Sequence, residues 1–242
     1  MKAVILMAGI GSRLGRTLPK CLTEIPGGET ILGNQIRLLR PHADQIIGVV
    51  GFKKEIIIEL YPELTYVYNP EFSRTNTSKS LLAALKAVGP DDLLWINGDV
   101  VCTQDAVRKV AEAGNAVGVT YCRCEAEEVK FTTNPEGYLM AISKEVGPDA
   151  QGEAVGINRV SKESFGALRA ALERCDDKDY FEKAIEFCLA QGVNFKAVDV
   201  GSDASIEVDF TSDLQRVWEV FAPWDDGSAR LQLLRKVGGM AS

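Results

Sequence analysis

Ala3-Val4-Ile5-Leu6-Met7-Ala8-Gly9-Ile10-Gly11-Ser12-Arg13-Leu14 lies at the head of the chain, and its reading governs the rest. Ala3 to Met7 is an uncharged apolar run of strand length, expected to be buried on both faces. It enters a loop with glycines at 9 and 11. Glycine lets backbone N–H groups turn toward an anion without interference from a Cβ, and Arg13 stands beside them. A plain tight turn is the simplest alternative. A dinucleotide-binding loop needs a glycine where Leu14 stands, and Gly15 comes one residue late. It also needs an acidic residue closing a second strand about 20 residues on, which is missing. The Gly-Lys-Ser/Thr of the ATPase loop is absent as well.

Outward from this stretch, strand and helix alternate. Thr30–Arg40 is predicted helical, with Leu32, Ile36 and Leu39 on one face. Gln45–Val50 reads as a strand, Lys53–Leu60 as a short helix, Thr65–Tyr68 as a strand and Ser78–Val88 as a helix. Asp92–Asn97 is a fourth strand ending in Gly98-Asp99. This alternation predicts a parallel sheet covered on both faces. The second half is mixed. A helix is expected over Gln104–Ala113 and a strand over Ala116–Cys122. Val129–Thr133 and Tyr138–Ser143 flank the turn residues Asn134-Pro135-Glu136-Gly137, a hairpin pattern. Then come a strand over Glu153–Val160, a helix capped by Ser161, a helix over Tyr180–Ala190, short strands over Asn194–Val198 and Ile206–Val208, and a helix capped by Thr211. No repeat or linker divides the chain, so 1–242 is read as one domain. The twenty residues from Pro223 read as an extra helix, a C-terminal extension or an oligomer contact, which leaves a homodimer open.

The 242 residues are 46% apolar and 25% charged, with 27 basic and 34 acidic side chains and a formal charge of −7. Such a field does not attract nucleic acid or an anionic membrane, while a local basic pocket for a free nucleotide remains compatible with it. No run of about 18 apolar residues exists for a transmembrane helix. The apolar head is too short for a signal peptide and Arg13, Arg16 and Lys20 follow it, so a cytoplasmic location is expected. Six dispersed cysteines, with only Cys122 and Cys124 close, read as reduced core thiols. His42, the sole histidine, is expected at the surface, and rules out histidine-based triads.

Lys20 raises the loop above a plain turn. It lies in Leu18-Pro19-Lys20-Cys21-Leu22, and Gly27-Gly28 follow. The order G-x-G-x-R-L, P-K, apolar turn, Gly-Gly resembles the signature of the sugar-phosphate nucleotidyltransferase superfamily, including its phosphocholine cytidylyltransferase-like branch. The resemblance runs in order through nearly the whole chain. It implies a Rossmann-like three-layer α/β fold with a mixed, mainly parallel central sheet. It implies a nucleoside triphosphate gripped by Leu6, Ala8, Gly9, Gly11, Ser12 and Gly98, with Arg13 on the leaving pyrophosphate and Lys20 on the pentavalent α-phosphate. Attack by an acceptor phosphate needs no protein nucleophile; positioning and electrostatics carry it.

Asp99 follows a strand in a Gly-Asp pair, at the sheet edge where open α/β sheets bind ligands; capping of a turn is the alternative. Ile206-Glu207-Val208-Asp209-Phe210 places two acids on a short strand, expected on opposite faces, with Asp209 also able to cap the next helix. By the resemblance, Asp99 and Asp209 are the two Mg²⁺ ligands, in keeping with a hard ion that takes one or two carboxylates plus phosphate oxygens.

Thr75-Asn76-Thr77-Ser78-Lys79-Ser80-Leu81 joins a strand to a helix, with Thr77 or Ser78 expected as the cap. It is similar to the base-recognition segment of the cytidylyltransferase-like branch, which implies Asn76 and Ser80 as readers of the pyrimidine and CTP as substrate. Lys130, Glu153, Tyr180, Glu182 and Glu207 fall where the family contacts its acceptor, a small phosphorylated or phosphonate molecule; the carboxylates and Tyr180 suit a cationic head group. Solvated surface acids are the plain alternative. No tryptophan stands between 120 and 200, so a choline-type aromatic cage is not evident. The rivals are a uridylyl- or thymidylyltransferase acting on a sugar 1-phosphate and a non-catalytic nucleotide sensor.

Overall fold

A computed structural model describes residues 1–11, 17–125 and 127–222. Ser12, Arg13 and the 223–242 segment lie outside the described residues, and so do the expectations attached to them. β1 (Lys2–Met7) is the centre of the fold. Its residues alternate between two cores: Val4 and Leu6 point into one, Ala3, Ile5 and Met7 into the other. Successive side chains on a strand leave on opposite faces, so an unbroken apolar run is what a strand covered on both sides requires.

β1 pairs in parallel with β2 (Gln45–Val50) on one side and β4 (Leu93–Asn97) on the other, and β3 (Thr65–Tyr68) pairs in parallel with β2. The central order is β10-β6-β9-β4-β1-β2-β3, where β5 is Val100–Cys102, β6 Ala116–Thr120, β7 Lys130–Thr133, β8 Leu139–Ser143, β9 Gly152–Val160 and β10 Lys196–Asp199. Only β9 reverses along this path: it is antiparallel to both β4 and β6, while β10 runs parallel to β6. The sheet is therefore mixed and mainly parallel. The β7–β8 hairpin hangs from β9. Its turn is held by Asn134, whose Oδ1 accepts from Tyr138 N at 2.8 Å.

Helices α1 (Ile31–Leu39), α2 (Lys54–Leu60) and α4 (Gln104–Glu112) cover one face. Helices α3 (Thr77–Ala87), α5 (Lys162–Arg174) and α6 (Phe181–Ala190) cover the other. On that second face Phe181 meets Trp95 edge-on, centroids 5.7 Å apart. Thr30 and Thr103 cap α1 and α4 by accepting from Gly33 N and Ala106 N, satisfying donors that a helix start leaves open. No helix among the described residues is long and apolar enough to cross a membrane.

Two expected caps differ. Ser161 stands at the N-cap of α5 but its side chain makes no cap bond. The last helix, α7 (Thr211–Phe221), is capped by Asp213, which reaches back to accept from Asp209 N at 2.9 Å and Phe210 N at 2.7 Å. Four cysteines are buried as expected, but Cys122 is exposed and Cys124 half-buried. His42 is half-buried rather than fully at the surface.

β5 is a strand that the sequence pattern did not announce. It leaves the main sheet directly after Gly98-Asp99 and pairs antiparallel with β11 (Ser205–Glu207), Glu207 opposite Val100. Ile25, Ile31, Val101, Ile206, Val208 and Val217 form a separate small core beneath this pair. Three rungs of ladder thus bring the late acidic segment to the end of β4.

Candidate active site

The parallel strands β1 to β4 end at one edge of the sheet, and the glycine loop, the Gly98-Asp99 turn and the start of α3 all lie there. Gly11 has a φ of +63°, and a Cβ on it would stand 3.2 Å from Lys20 Cβ. The loop therefore lies directly on Lys20. Gly98 is tighter still: a Cβ there would be 2.7 Å from Met7 Cβ and 2.8 Å from the Leu6 carbonyl oxygen. That close approach lets Gly98 N donate to Leu6 O at 2.8 Å and fixes where Asp99 begins. Leu6 and Ala8 are buried, so what they can offer outward is backbone.

Lys20 sits in a one-turn 3₁₀ helix, Lys20–Leu22. Its ammonium donates to Asp99 Oδ2 at 2.9 Å and to Asp209 Oδ1. All three side chains are largely enclosed, at 11%, 23% and 26% exposure. Burial opposes the charge on Lys20, but Asp99 and Asp209 outweigh it and hold its pKa above the ordinary value.

Glu207 joins them. One carboxylate oxygen each from Asp99, Glu207 and Asp209 lie within 4.8 Å of one another. The expectation that Glu207 and Asp209 point to opposite faces is therefore corrected: alternation in extended chain puts residues two apart on the same side, and here that holds although β11 itself ends at Glu207. Glu207 is exposed as a residue, yet desolvation of its carboxyl, then the charges of Asp99 and Asp209, push it up to about 8 against the pull of Lys20. Three carboxyl groups offering hard oxygens at this spacing fit a divalent cation such as Mg²⁺, whose charge would favour release of the Glu207 proton.

The base segment reads differently in the structure. Asn76, not Thr77 or Ser78, caps α3: its Oδ1 accepts from Thr77 N at 2.8 Å and its Nδ2 donates to Lys178 O at 3.2 Å. Ser80 is buried and its hydroxyl accepts from Asn69 Nδ2 at 3.1 Å. Both polar groups are engaged in shaping the β3–α3 connection and tying it to the start of α6.

The five acceptor candidates fall into two groups. Tyr180 stands at the N-cap of α6 with the Lys144 ammonium 4.7 Å above its ring. Glu182 follows, almost wholly buried, with Oε2 unpartnered among the described residues. Burial pushes its carboxyl up to about 7, opposed in part by Lys144, and its field reaches Glu207. Glu153 lies apart, opposite Lys130 across the β7–β9 ladder. Its carboxyl is pushed up to about 7 by burial and by a hydrogen bond shared with Glu128. Lys144 and Glu128 escaped the sequence reading because neither lies in a motif. Gln35, on α1, also escaped it; a polar residue sharing a face with Ile31, Leu32, Leu38 and Leu39, three and four positions away, was the available signal.

Glu182 gives a direct test of its burial. Between about pH 4.5 and 7 the folded chain holds a proton there that the unfolded chain has released, so stability falls as pH rises through that window and stays lowered above it. Glu182→Gln is expected to be more stable than wild type at pH 8, by up to about 3 kcal/mol, with the gain gone near pH 4. Parallel melting curves across this range would refute the assignment.

Residues 3–176 match the model of the MobA-like NTP transferase domain. The bifunctional protein GlmU of Methanococcus maripaludis strain C5 is 34% identical over 254 aligned residues, covering 98% of this chain and 55% of that protein. The CMP-5'-(3-aminopropyl)phosphonate synthase of Streptomyces rubellomurinus is 32% identical over 132 residues, covering 51% of this chain and 21% of that protein. The chain spans about half or less of the length of these relatives. Among solved structures, the CTP:phosphocholine cytidylyltransferase of Streptococcus pneumoniae superposes with a TM-score of 0.75 at 17% identity, covering 91% of this chain and 98% of the other. The inositol-1-phosphate CTP transferase of T. maritima superposes with a TM-score of 0.74 at 17% identity, over 90% and 96%. At that identity the likeness is one of fold. With the glycine loop, Lys20 and Asp99 all inside the matched stretch, the chain belongs to the MobA-like NTP transferase domain family.

Proposed function

We propose that the protein is a Mg²⁺-dependent cytidylyltransferase. It moves CMP from CTP to a small phosphate or phosphonate that also carries a cationic amine, and releases pyrophosphate. The observation that carries this reading is the convergence of Lys20, Asp99, Glu207 and Asp209 beside the glycine loop. An oxygen of the acceptor attacks the α-phosphorus of CTP. The bond from that phosphorus to the bridging oxygen breaks, and pyrophosphate leaves with the electron pair.

The chain supplies placement and charge. Backbone N–H groups of the Gly9 to Gly11 turn face the phosphates, Lys20 neutralises charge developing at the α-phosphate, and Arg13 takes the leaving pyrophosphate. Asp99, Asp209 and Glu207 would hold the Mg²⁺, whose charge would reduce the repulsion between the two phosphorus groups. Asn76 and Ser80 set the shape of the base pocket, with Asn76 at the start of α3. The choice of CTP is supported by the Thr-Asn-x-x-x-Ser-Leu segment, by one relative named for a CMP-linked phosphonate and by two similar structures named for CTP. The cationic acceptor is supported by Tyr180, whose ring already faces an ammonium, and by the adjacent Glu182; Lys130 and Glu153 flank the same end of the sheet.

Pyrophosphate release measured for four nucleoside triphosphates against phosphocholine, phosphoethanolamine, aminoethylphosphonate, glycerol phosphate, inositol phosphate and sugar 1-phosphates tests both choices. Turnover is expected with CTP and an amine-bearing acceptor. Turnover with UTP or dTTP and a sugar 1-phosphate would replace this reading, and CTP binding without turnover on any acceptor would make the protein a sensor.

A further inference from the structure

Gln35 is completely buried on α1 and stands outside the Lys20 cluster. Its Nε2 donates to Asn97 O at 2.8 Å and to Val100 O at 2.8 Å. Asn97 ends β4 and Val100 begins β5, so one amide grips the chain on both sides of Gly98-Asp99. The antiparallel register with β9 stops at Ile96–Ile157, and buried carbonyls past that point need another donor. On the opposite side the same turn is pressed against β1 by Gly98. Asp99 thus leaves from a turn clamped from two directions.

Packing alone does not account for the glutamine. Its Oε1 has no partner among the described residues, and an unpaired buried oxygen is costly. A methionine of similar volume would fill the space without that oxygen. What methionine lacks is the pair of donors.

We propose that Gln35 is a positioning residue that acts through the backbone of Asn97 and Val100 to aim the Asp99 carboxylate at the cation it shares with Glu207 and Asp209. This rests on the reading of Asp99 as a metal ligand. Residues behind metal ligands are typically worth about 10- to 100-fold in metal affinity, although here the link runs through the main chain.

The test is Mn²⁺ binding to the full chain without nucleotide, followed by the electron paramagnetic resonance of free Mn²⁺ at a temperature where each variant is folded. Wild type, Asp99→Asn, Gln35→Met and Gln35→Glu are compared. The expected result is saturable binding by wild type, and binding about tenfold or more weaker in both Gln35 variants and in Asp99→Asn. Wild-type affinity in Gln35→Met and Gln35→Glu, with Asp99→Asn impaired, overturns the role of Gln35 alone, whatever their melting temperatures. Absence of binding by wild type, or wild-type affinity in Asp99→Asn, overturns the metal site and this proposal with it. In the wild-type chain the side-chain amide resonance of Gln35 should shift on titration with Mg²⁺. A resonance that stays fixed refutes the coupling even if neither Gln35 variant folds.

Discussion

On the proposed reaction, Asp99→Asn is expected to leave the chain folded and to lower pyrophosphate release from CTP by about a thousandfold or more. Asparagine keeps the size of the side chain and one oxygen, so the Gly98 turn and the Gln35 clamp stay satisfied. It removes the charge that Lys20 meets at 2.9 Å and one of three carboxylates gathered within 4.8 Å. A divalent ion binds a neutral amide far less well than a carboxylate, and the phosphates then face each other unscreened. The measurement is single-turnover pyrophosphate release beside a melting curve. Near-normal turnover in a folded variant would remove Asp99 from the chemistry.

Lys20→Met should move two quantities in opposite directions. Turnover falls by about 10²- to 10³-fold, the usual loss when one donor to a developing oxyanion is removed. Binding of Mn²⁺ alone becomes tighter, because the ammonium that pairs with Asp99 and Asp209 competes with the ion for the same oxygens. The apo chain also loses stability, since Asp99 and Asp209 lose the ammonium they share. General damage to the site would lower rate and metal affinity together. That result would mean that Lys20 supports the cation site rather than competing for it.

How far the sequence led can be seen element by element. The β1 run and the alternation after it were plain because both faces of a parallel strand are apolar and the helices between are amphipathic. Lys20, Asp99 and Asp209 stood out by their surroundings, and the structure brings all three together. β5 did not stand out: Val100 to Cys102 is three residues long, and its partner β11 lies far along the chain. Pairing at such separation leaves no local pattern. Asn76 shows a different limit. A polar residue before a helix is equally suited to cap it or to face a ligand, and only the bond to Thr77 N shows that it caps. Glu182 and Glu153 looked like surface acids by type; their enclosure comes from packing of α6 and of the β7–β9 ladder.

The β5–β11 ribbon also gives the site an order of construction. The glycine loop runs straight on to Lys20, yet Asp209 lies 189 positions after Lys20. Closing so long a segment has an entropic cost that three rungs and a small cluster of valines and isoleucines only partly offset. This ribbon is therefore expected to be among the first parts of the molecule to open and the last to close, ahead of β1 and β4 in amide exchange. On the ribosome the main sheet can begin to gather while residue 209 is still unmade. The main sheet can thus gather with Lys20 and Asp99 already in place, and Glu207 and Asp209 join them only once β11 pairs with β5.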